Sequence, residues 1–378
     1  MSSLSDLTKR AAKAVEAILG NDMDGEEDRD GKFSTRALSV LASHDLLCLG
    51  FLDPKNTGPQ SGDMERACAV MSALAEQSGT IATVYMVNAV LAPLCVSYLG
   101  TAQQKAALLP GVAQGRLQLA FALTEPEAGS DAGAAKTQAT PTDNGYTIRG
   151  EKTYITGSAT ADYILTICRT SSDRAKAFGV FIVPGTAPNL TVTPLPKLSG
   201  NGCASCHIKL DDVAVSSDNV LGGNDALEAA WNVLRLTGAL ERLIVSAMAC
   251  GLARAATQRA ASFIQERKQF GQLLSNFQSI QHTVVEMSTL TTAMELMVEN
   301  AIRVYGSGSD ATEAISKAKY FCSEQLQKIV GSAVRVLGGR AYFEFEPVSR
   351  YYREATFSLF AGGTVEVQKM LIARSLGF

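Results

Sequence analysis

The hydrophobic period of this chain changes twice along its length, and few folds accommodate that. Residues 4 to 19, 34 to 49 and 64 to 78 repeat apolar side chains at helical spacing, with Glu65, Arg66 and Glu76 on the wet side of the third segment. A shorter helix follows within 100 to 115, closed by Pro110-Gly111. From residue 117 to about 220 the spacing becomes two, or short β-rich runs, at 117–123, 146–155, 163–168, 178–183, 190–194 and 207–213. Turn residues such as Asp143-Asn144-Gly145 and Pro184-Gly185 separate them. Beyond Gly223 the helical period returns over 226–265, 277–305, 310–337 and 364–375. The expectation is an α+β multidomain chain: an N-terminal α-helical domain over residues 1–118, a central antiparallel β-barrel domain over 119–222 and a C-terminal helical domain over 223–378. At 378 residues the chain is too long for one ordinary core, which agrees.

Composition narrows the partners. A formal net charge of −3 gives no basic surface for nucleic acid, whose phosphates need clustered Lys and Arg. The first 13 residues mix Ser, Asp, Lys and Arg with no apolar signal core, so a cytoplasmic location is expected. Eight cysteines scattered over the length suit buried reduced thiols better than a disulfide framework. Residues 81–99 are nearly apolar, but Asn88 and Pro93 interrupt them and no basic flank follows, so they read as a buried helix pair and no membrane span is expected. Cys203-Ala-Ser-Cys206-His207 matches the haem-attachment letters CxxCH, yet it runs directly into the alternating residues of a strand and reads as a chance match. With three histidines, cysteines unpaired in sequence and an acidic segment 21–31 that lacks calcium-loop spacing, no metal is expected.

The run Leu119-Ala-Phe-Ala-Leu-Thr-Glu-Pro-Glu-Ala-Gly-Ser-Asp131 is a strand that ends in a structured loop. Pro126 forbids regular pairing and Gly129 allows a sharp turn. Hydroxyls at Thr124 and Ser130, two carboxylates and backbone N–H groups suit a polar ligand. A surface turn built of capping residues has the same composition, and on this segment alone both readings stand.

Four further motifs accompany it: Tyr154-Ile-Thr156; Glu266-Arg-Lys-Gln-Phe-Gly271 followed by Phe277-Gln278; Val336-Leu-Gly-Gly339; and Gly362-Gly-Thr-Val-Glu366 followed by Ile372-Ala-Arg374. In this order and spacing, together with Leu123 to Asp131, they resemble the acyl-CoA dehydrogenase flavoproteins over essentially the whole chain. The resemblance implies that family's fold, with a four-helix bundle as the C-terminal domain. It also implies FAD between the β-domain and the C-terminal helices, and a homotetramer, a dimer of dimers, in which a neighbouring subunit completes each flavin site. No GxGxxG occurs, and the family uses none.

Residue by residue, the resemblance places Phe121, Leu123, Thr124, Gly129 and Ser130 along the isoalloxazine, with Thr124 at the pyrimidine end. Tyr154, Ile155 and Thr156 follow, Thr156 donating toward flavin N5, where a donor favours the reduced ring. Arg267 would meet the pyrophosphate of a partner's FAD, as a permanent planar cation suits phosphate. Phe270, Gln278, Arg335, Leu337, Gly338 and Gly339 would complete the dinucleotide site, although the family usually has glutamine at the position of Arg335. Thr364 and Glu366 open the last helix, whose N–H groups suit phosphate.

The base is where the chain departs from the common pattern. Many members carry the catalytic glutamate immediately before the glycine-threonine of the last motif; here that position is Gly362. A minority, the isovaleryl-CoA and long-chain types, place it before an arginine in the C-terminal domain, matching Glu241-Arg242. Glu241 is therefore the expected base, and the Gly362 N–H the expected donor to the thioester carbonyl. A helix carboxylate paired with Arg242 is the structural alternative. Ser130, Gly238, Ala239, Arg242 and Gly363 would touch substrate. Gly238 and Ala239 stand where members often carry an aromatic residue and an aspartate, and Asn201 replaces a common arginine. These departures also occur in relatives that oxidise acyl or aminoacyl groups tethered to carrier proteins. Three functions stay open: an acyl-CoA dehydrogenase, a dehydrogenase or oxidase of an acyl-carrier-protein substrate, and a flavin-binding scaffold without dehydrogenation. The electron acceptor would be an electron-transfer flavoprotein or oxygen.

Overall fold

The computed structural model describes residues 3–20, 33–47, 49–56, 58–171, 178–227 and 230–378; the acidic segment 21–31 lies outside them. Contacts group the chain into two units, one of Met1–Val15, Met64–Ala82 and Ala239–Phe378, the other of Glu16–Asp63 and Thr83–Gly238.

The helical spacing of the first third becomes α1 (Leu4–Leu19), α2 (Phe33–Ser43), α3 (Ser61–Gln77), α4 (Gly79–Tyr85), α5 (Ala92–Leu99) and α6 (Ala102–Ala113). The anticipated helix pair at 81–99 is one continuous run, because a π-helical turn at Met86–Leu91 joins α4 to α5. Pro93 sits in the first turn of α5, where its missing N–H costs little. Helix α6 begins with a capping box, Gln104 N–H donating to the Thr101 hydroxyl at 3.2 Å and Thr101 N–H to Gln104 Oε1 at 3.0 Å. It ends at Ala113 rather than at Pro110-Gly111, since a proline in the last turn removes one bond without ending the helix.

The period-two region forms a curled seven-stranded sheet: β1 (Leu119–Ala122), β2 (Gln138–Thr142), β3 (Gly145–Thr156), β4 (Tyr163–Arg169), β5 (Phe178–Pro184), β6 (Leu190–Leu195) and β7 (Ser205–Ser216). The order is β1-β4-β2-β3-β7-β6, with β5 on β4. Most pairs are antiparallel, but β1 runs parallel to β4, from Leu119 opposite Tyr163 to Ala122 opposite Thr166. The intervening β2–β3 hairpin supplies the long crossover that a parallel pair requires. Strand β2 gives no period-two signal because Ala139 alone is buried in it and Pro141 interrupts it. Ile148, Ile155, Ile164, Phe181, Val183, Ile208, Leu210 and Val213 fill the core of this sheet. Cys203 and Cys206 are buried, and His207 faces Glu151 at 3.6 Å.

The last third gives α7 (Ala230–Glu266), a hairpin of β8 (Lys268–Gln269) and β9 (Gln272–Leu273), α8 (Gln278–Gly306), α9 (Thr312–Leu337), α10 (Pro347–Ala355) and α11 (Val365–Ser375). Helices α8, α10 and α11 all pack on α9. Helix α3 lies so close to α7 that a Cβ at Gly251 would stand 2.1 Å from the Ser72 carbonyl oxygen. Helix α10 escaped the periodicity because it is short and rich in charged and aromatic residues. Two helical runs, Gly79–Leu99 and α7, are long and apolar enough to cross a membrane by composition, but the apolar window of the first is wholly buried in protein. Core packing accounts for that composition.

Candidate active site

In the unit that holds the sheet, the chain leaves β1 after Ala122 and is caught at once by a buried ion pair. Lys152 Nζ donates to the Leu123 carbonyl at 2.9 Å and to Glu125 Oε1 at 2.9 Å. Glu125 also accepts the backbone N–H of Lys136 at 2.6 Å and of Thr137 at 2.8 Å. Burial alone would raise the Glu125 carboxyl, but the Lys152 charge and these hydrogen bonds outweigh it and hold the group below the usual carboxylate range. Thr124 is thus fixed on both sides, its own carbonyl accepting from Thr153 N–H at 3.0 Å. Reciprocal backbone bonds between Glu125 and Ala128, both 3.1 Å, close the turn. Gly129 is not what bends the chain: its φ is not positive, and a Cβ there would meet nothing within 4 Å. It leaves open backbone instead. Phe121, Leu123 and Thr124 are half-buried, and Ser130 is exposed.

At the end of β3 the register against β7 shifts between Lys152 and Ile155, a bulge that throws Tyr154 outward at φ +60°. Tyr154 is 69% exposed, whereas the Ile155 side chain packs into the sheet core. Thr156 Oγ1 lies 2.9 Å from Ser205 Oγ. Two hydroxyls share one bond, so one proton remains to be donated elsewhere. Ser205 was not singled out from sequence; it comes opposite Thr156 only through the pairing of β3 with β7.

In the other unit, α7 carries Glu241 and Arg242. Arg242 Nε donates to the Gly362 carbonyl at 3.0 Å. The N–H of the same glycine is directed at the Glu241 carboxyl. Burial raises that carboxyl above its usual range, opposed by the Arg242 charge, then the Lys319 charge and the Gly362 N–H. Gly362 has φ +69°, and a Cβ would come 3.3 Å from Arg242 Cγ. Gly362→Ala is therefore expected to lose about 1–2 kcal/mol of stability, the cost of the left-handed conformation for a residue with a Cβ. Chemical denaturation measures it, and an unchanged midpoint would show that the loop relaxes freely.

Gly363, at φ +97°, leads to Thr364, which caps α11 by accepting Val367 N–H at 3.2 Å. Its hydroxyl proton remains available. Glu366 is exposed in the first turn. Gln368, unnoticed in sequence, is fully buried and donates to the Gly363 carbonyl at 3.1 Å, holding the turn from beneath. Gly238 and Ala239 are half-buried on α7. Asn201, in the sheet unit, uses its side-chain oxygen to accept Lys197 N–H at 3.3 Å.

The remaining dinucleotide candidates divide between exposed surface and core. Arg267, Gln278 and Arg335 are exposed. Phe270 and Gly271, at φ +51° and +77°, form the two-residue turn of the β8–β9 hairpin, with Phe270 92% exposed. Leu337 is buried and anchors the end of α9, so its side chain belongs to the core. Gly338 and Gly339 follow, with nothing within 4 Å of a built Cβ at either. Open glycine backbone, hydroxyls with protons to give, a helix N-terminus and an exposed guanidinium are groups that can hold a flavin dinucleotide. Among the described residues no cluster could hold a metal ion.

Three family models match in chain order: acyl-CoA dehydrogenase N-terminal domain over residues 5–116, middle domain over 120–213 and C-terminal domain over 231–377. The chain is 33% identical to the 3-(aryl)acrylate reductase of Clostridium sporogenes over 93% of its own length and 92% of that protein's. It is 32% identical to the caffeyl-CoA reductase-Etf complex subunit CarC of Acetobacterium woodii, over 98% and 97%. The solved structure of butyryl-CoA dehydrogenase from Megasphaera elsdenii is similar with a TM-score of 0.89 at 27% identity, covering 100% of this chain and 99% of that one. The chain belongs to the acyl-CoA dehydrogenase family and is an FAD-dependent oxidoreductase of acyl thioesters.

Proposed function

We propose that this protein carries out α,β-dehydrogenation of an acyl-CoA with Glu241 as the base that takes the α-proton. The observation that carries the reading is that two consecutive α7 residues meet one glycine: Arg242 donates to the Gly362 carbonyl, and the neighbouring Glu241 is a buried carboxyl whose ionisation the Gly362 N–H favours. An α-hydrogen of a thioester is too weakly acidic for an ordinary carboxylate, so the base must be raised and the developing enolate stabilised. Burial raises Glu241, and the thioester oxygen would take over the Gly362 N–H from the carboxyl when substrate binds, which raises the base further as the enolate gains a donor. FAD, when bound, supplies the acceptor for the hydride that leaves the β-carbon.

In the sheet unit, Thr124, Ser130 and Thr156 offer hydroxyls to the flavin ring, and Phe121 and Leu123 offer apolar surface beside it. Gly129 and Tyr154 flank that patch, and Ile155 backs it. In the helical unit, Arg267, Phe270, Gln278, Arg335, Gly338, Gly339, Thr364 and Glu366 serve the dinucleotide portion, with Leu337 holding the α9 end in place. Arg242, Gly238, Ala239, Gly363 and Ser130 would border the substrate.

Exposed aromatic side chains support a homotetramer: Phe270 at 92%, Tyr342 at 88% and Phe345 at 62% are surface that a lone chain rarely leaves open. A partner subunit covering Phe270 and Arg267 would complete the dinucleotide site. An electron-transfer flavoprotein is the acceptor we favour, since a 32% identical relative is named as a subunit of a complex with Etf. Both relatives compared above are named reductases. The same groups serve that direction, with Glu241 delivering the α-proton. A cytoplasmic location fits this chemistry.

The test is anaerobic bleaching of the flavin by butyryl-CoA, isovaleryl-CoA and 3-phenylpropionyl-CoA. Bleaching by at least one is expected. No bleaching by free CoA esters, with bleaching by the same acyl groups loaded on a carrier protein, would replace the CoA reading by the carrier-protein one; no bleaching by either would leave the scaffold reading.

A further inference from the structure

Helix α9 carries a lysine with no exposed surface, Lys319. Its Nζ donates to Ser323 Oγ, one turn along the helix, at 3.0 Å and to the carbonyl of Ser358. Ser323 Oγ donates to the same carbonyl at 2.7 Å. Ser358 lies in the 3-10 turn Thr356–Leu359, which leads through Phe360 and Ala361 to Gly362. A buried ammonium is costly, and for packing alone Leu or Met would serve at that position. Two hydrogen bonds to one turn make Lys319 and Ser323 a double tether between α9 and the segment that presents the Gly362 peptide. The charged and titratable groups facing Lys319 are Glu241 and Arg242 from α7 and Cys322 from its own helix.

We propose that Lys319 is a positioning residue for α-proton transfer: it ties the Ser358 turn, and through it Gly362, to α9, and sets a second cation beside Arg242 in the surroundings of Glu241. The inference rests on Glu241 being the base. Arg242 and Lys319 then act as a pair on one carboxylate. Arg242 is committed to the Gly362 carbonyl, while Lys319 reaches the same loop four residues earlier. Burial lowers the Lys319 ammonium to about 8, with the Glu241 charge acting the other way. Below that pH the lysine is charged, and the carboxylate it favours is the form that can take a proton.

The experiment uses the FAD-loaded protein without substrate. Difference infrared titration follows the protonated carboxyl of Glu241, identified by its loss in Glu241→Gln. Lys319→Gln keeps a donor to the Ser358 carbonyl but removes the charge. It is expected to move the Glu241 midpoint up by about one pH unit, in line with removing a nearby opposite charge. Lys319→Arg is expected to leave it within a few tenths. A Lys319→Gln midpoint equal to wild type would overturn the proposal, because a merely structural lysine would change stability without moving that midpoint. Should Lys319→Gln fail to accumulate with FAD, Lys319→Met is titrated in the same way. The base assignment fails separately, if Glu241→Gln still lets a bleaching acyl-CoA reduce the flavin at the wild-type rate.

Discussion

Glu241→Gln should reduce flavin reduction by an effective acyl-CoA by about 10²–10⁴-fold, the range for removing a positioned general base, while FAD content and the unfolding midpoint stay near wild type. The substitution is nearly isosteric, and the amide can still accept from the Gly362 N–H, so the loss falls on proton transfer. The pH profile carries a second expectation. Only the deprotonated base works, and burial raises Glu241, so the rate should climb with pH through a limb placed above the ordinary carboxylate range. Stopped-flow reduction from acid to neutral pH measures both. An unchanged rate, or a limb at the value of a solvent-exposed glutamate, would end the assignment.

Glu125→Ala should be the most destabilising single change in the sheet, at about 3–5 kcal/mol, the cost of removing one partner of a buried pair. Lys152 has no exposed surface and Glu125 is 6% exposed, so solvent does little to screen their attraction. Removing the carboxylate leaves a buried ammonium with the Leu123 carbonyl, and also frees the N–H groups of Lys136 and Thr137. The turn that presents Thr124 should loosen, and FAD should dissociate more readily. Denaturant unfolding with a parallel flavin-release assay checks this; a loss below about 1 kcal/mol would mean that the pair is not what holds the turn. The same carboxylate has a pH signature. Its folded value lies below its unfolded one, so its stabilisation is present above the ordinary carboxylate range and is lost as pH falls through the folded value. Glu346 behaves alike, fully buried with Arg259 Nε at 2.7 Å and Arg340 Nε at 2.7 Å. Acid unfolding should therefore be steep below that range, and shallower in Glu125→Gln.

The elements legible in the sequence were those whose signal is local. Helix α1 begins and ends at the residues its apolar spacing marks, and α7, α8, α9 and α11 depart by a few residues at their ends. Strand β2 and helix α10 were not legible, since β2 buries a single residue and α10 is only nine residues long and mostly charged or aromatic. Among candidate site residues, Arg242 and Gly362 are separated by 120 positions in the chain and meet through one hydrogen bond that no local pattern contains. Ser205, Gln368 and Lys319 went unnoticed for the same reason: a serine in a strand or a lysine in a helix says nothing until its neighbour across the sheet or bundle is known.

By itself the sequence determined the helical, β and helical order of the chain, the strand-to-loop change at Thr124 and the family, because these follow from periodicity and from residues close together in the chain. Tertiary structure alone decided that Gly129 need not bend its turn, that the Ile155 and Leu337 side chains belong to cores, and that the guanidinium next to Glu241 in the chain meets the Gly362 carbonyl. Those outcomes depend on burial and on contacts between residues far apart in the chain, where desolvation and fixed distances, rather than residue type, set what a side chain can do.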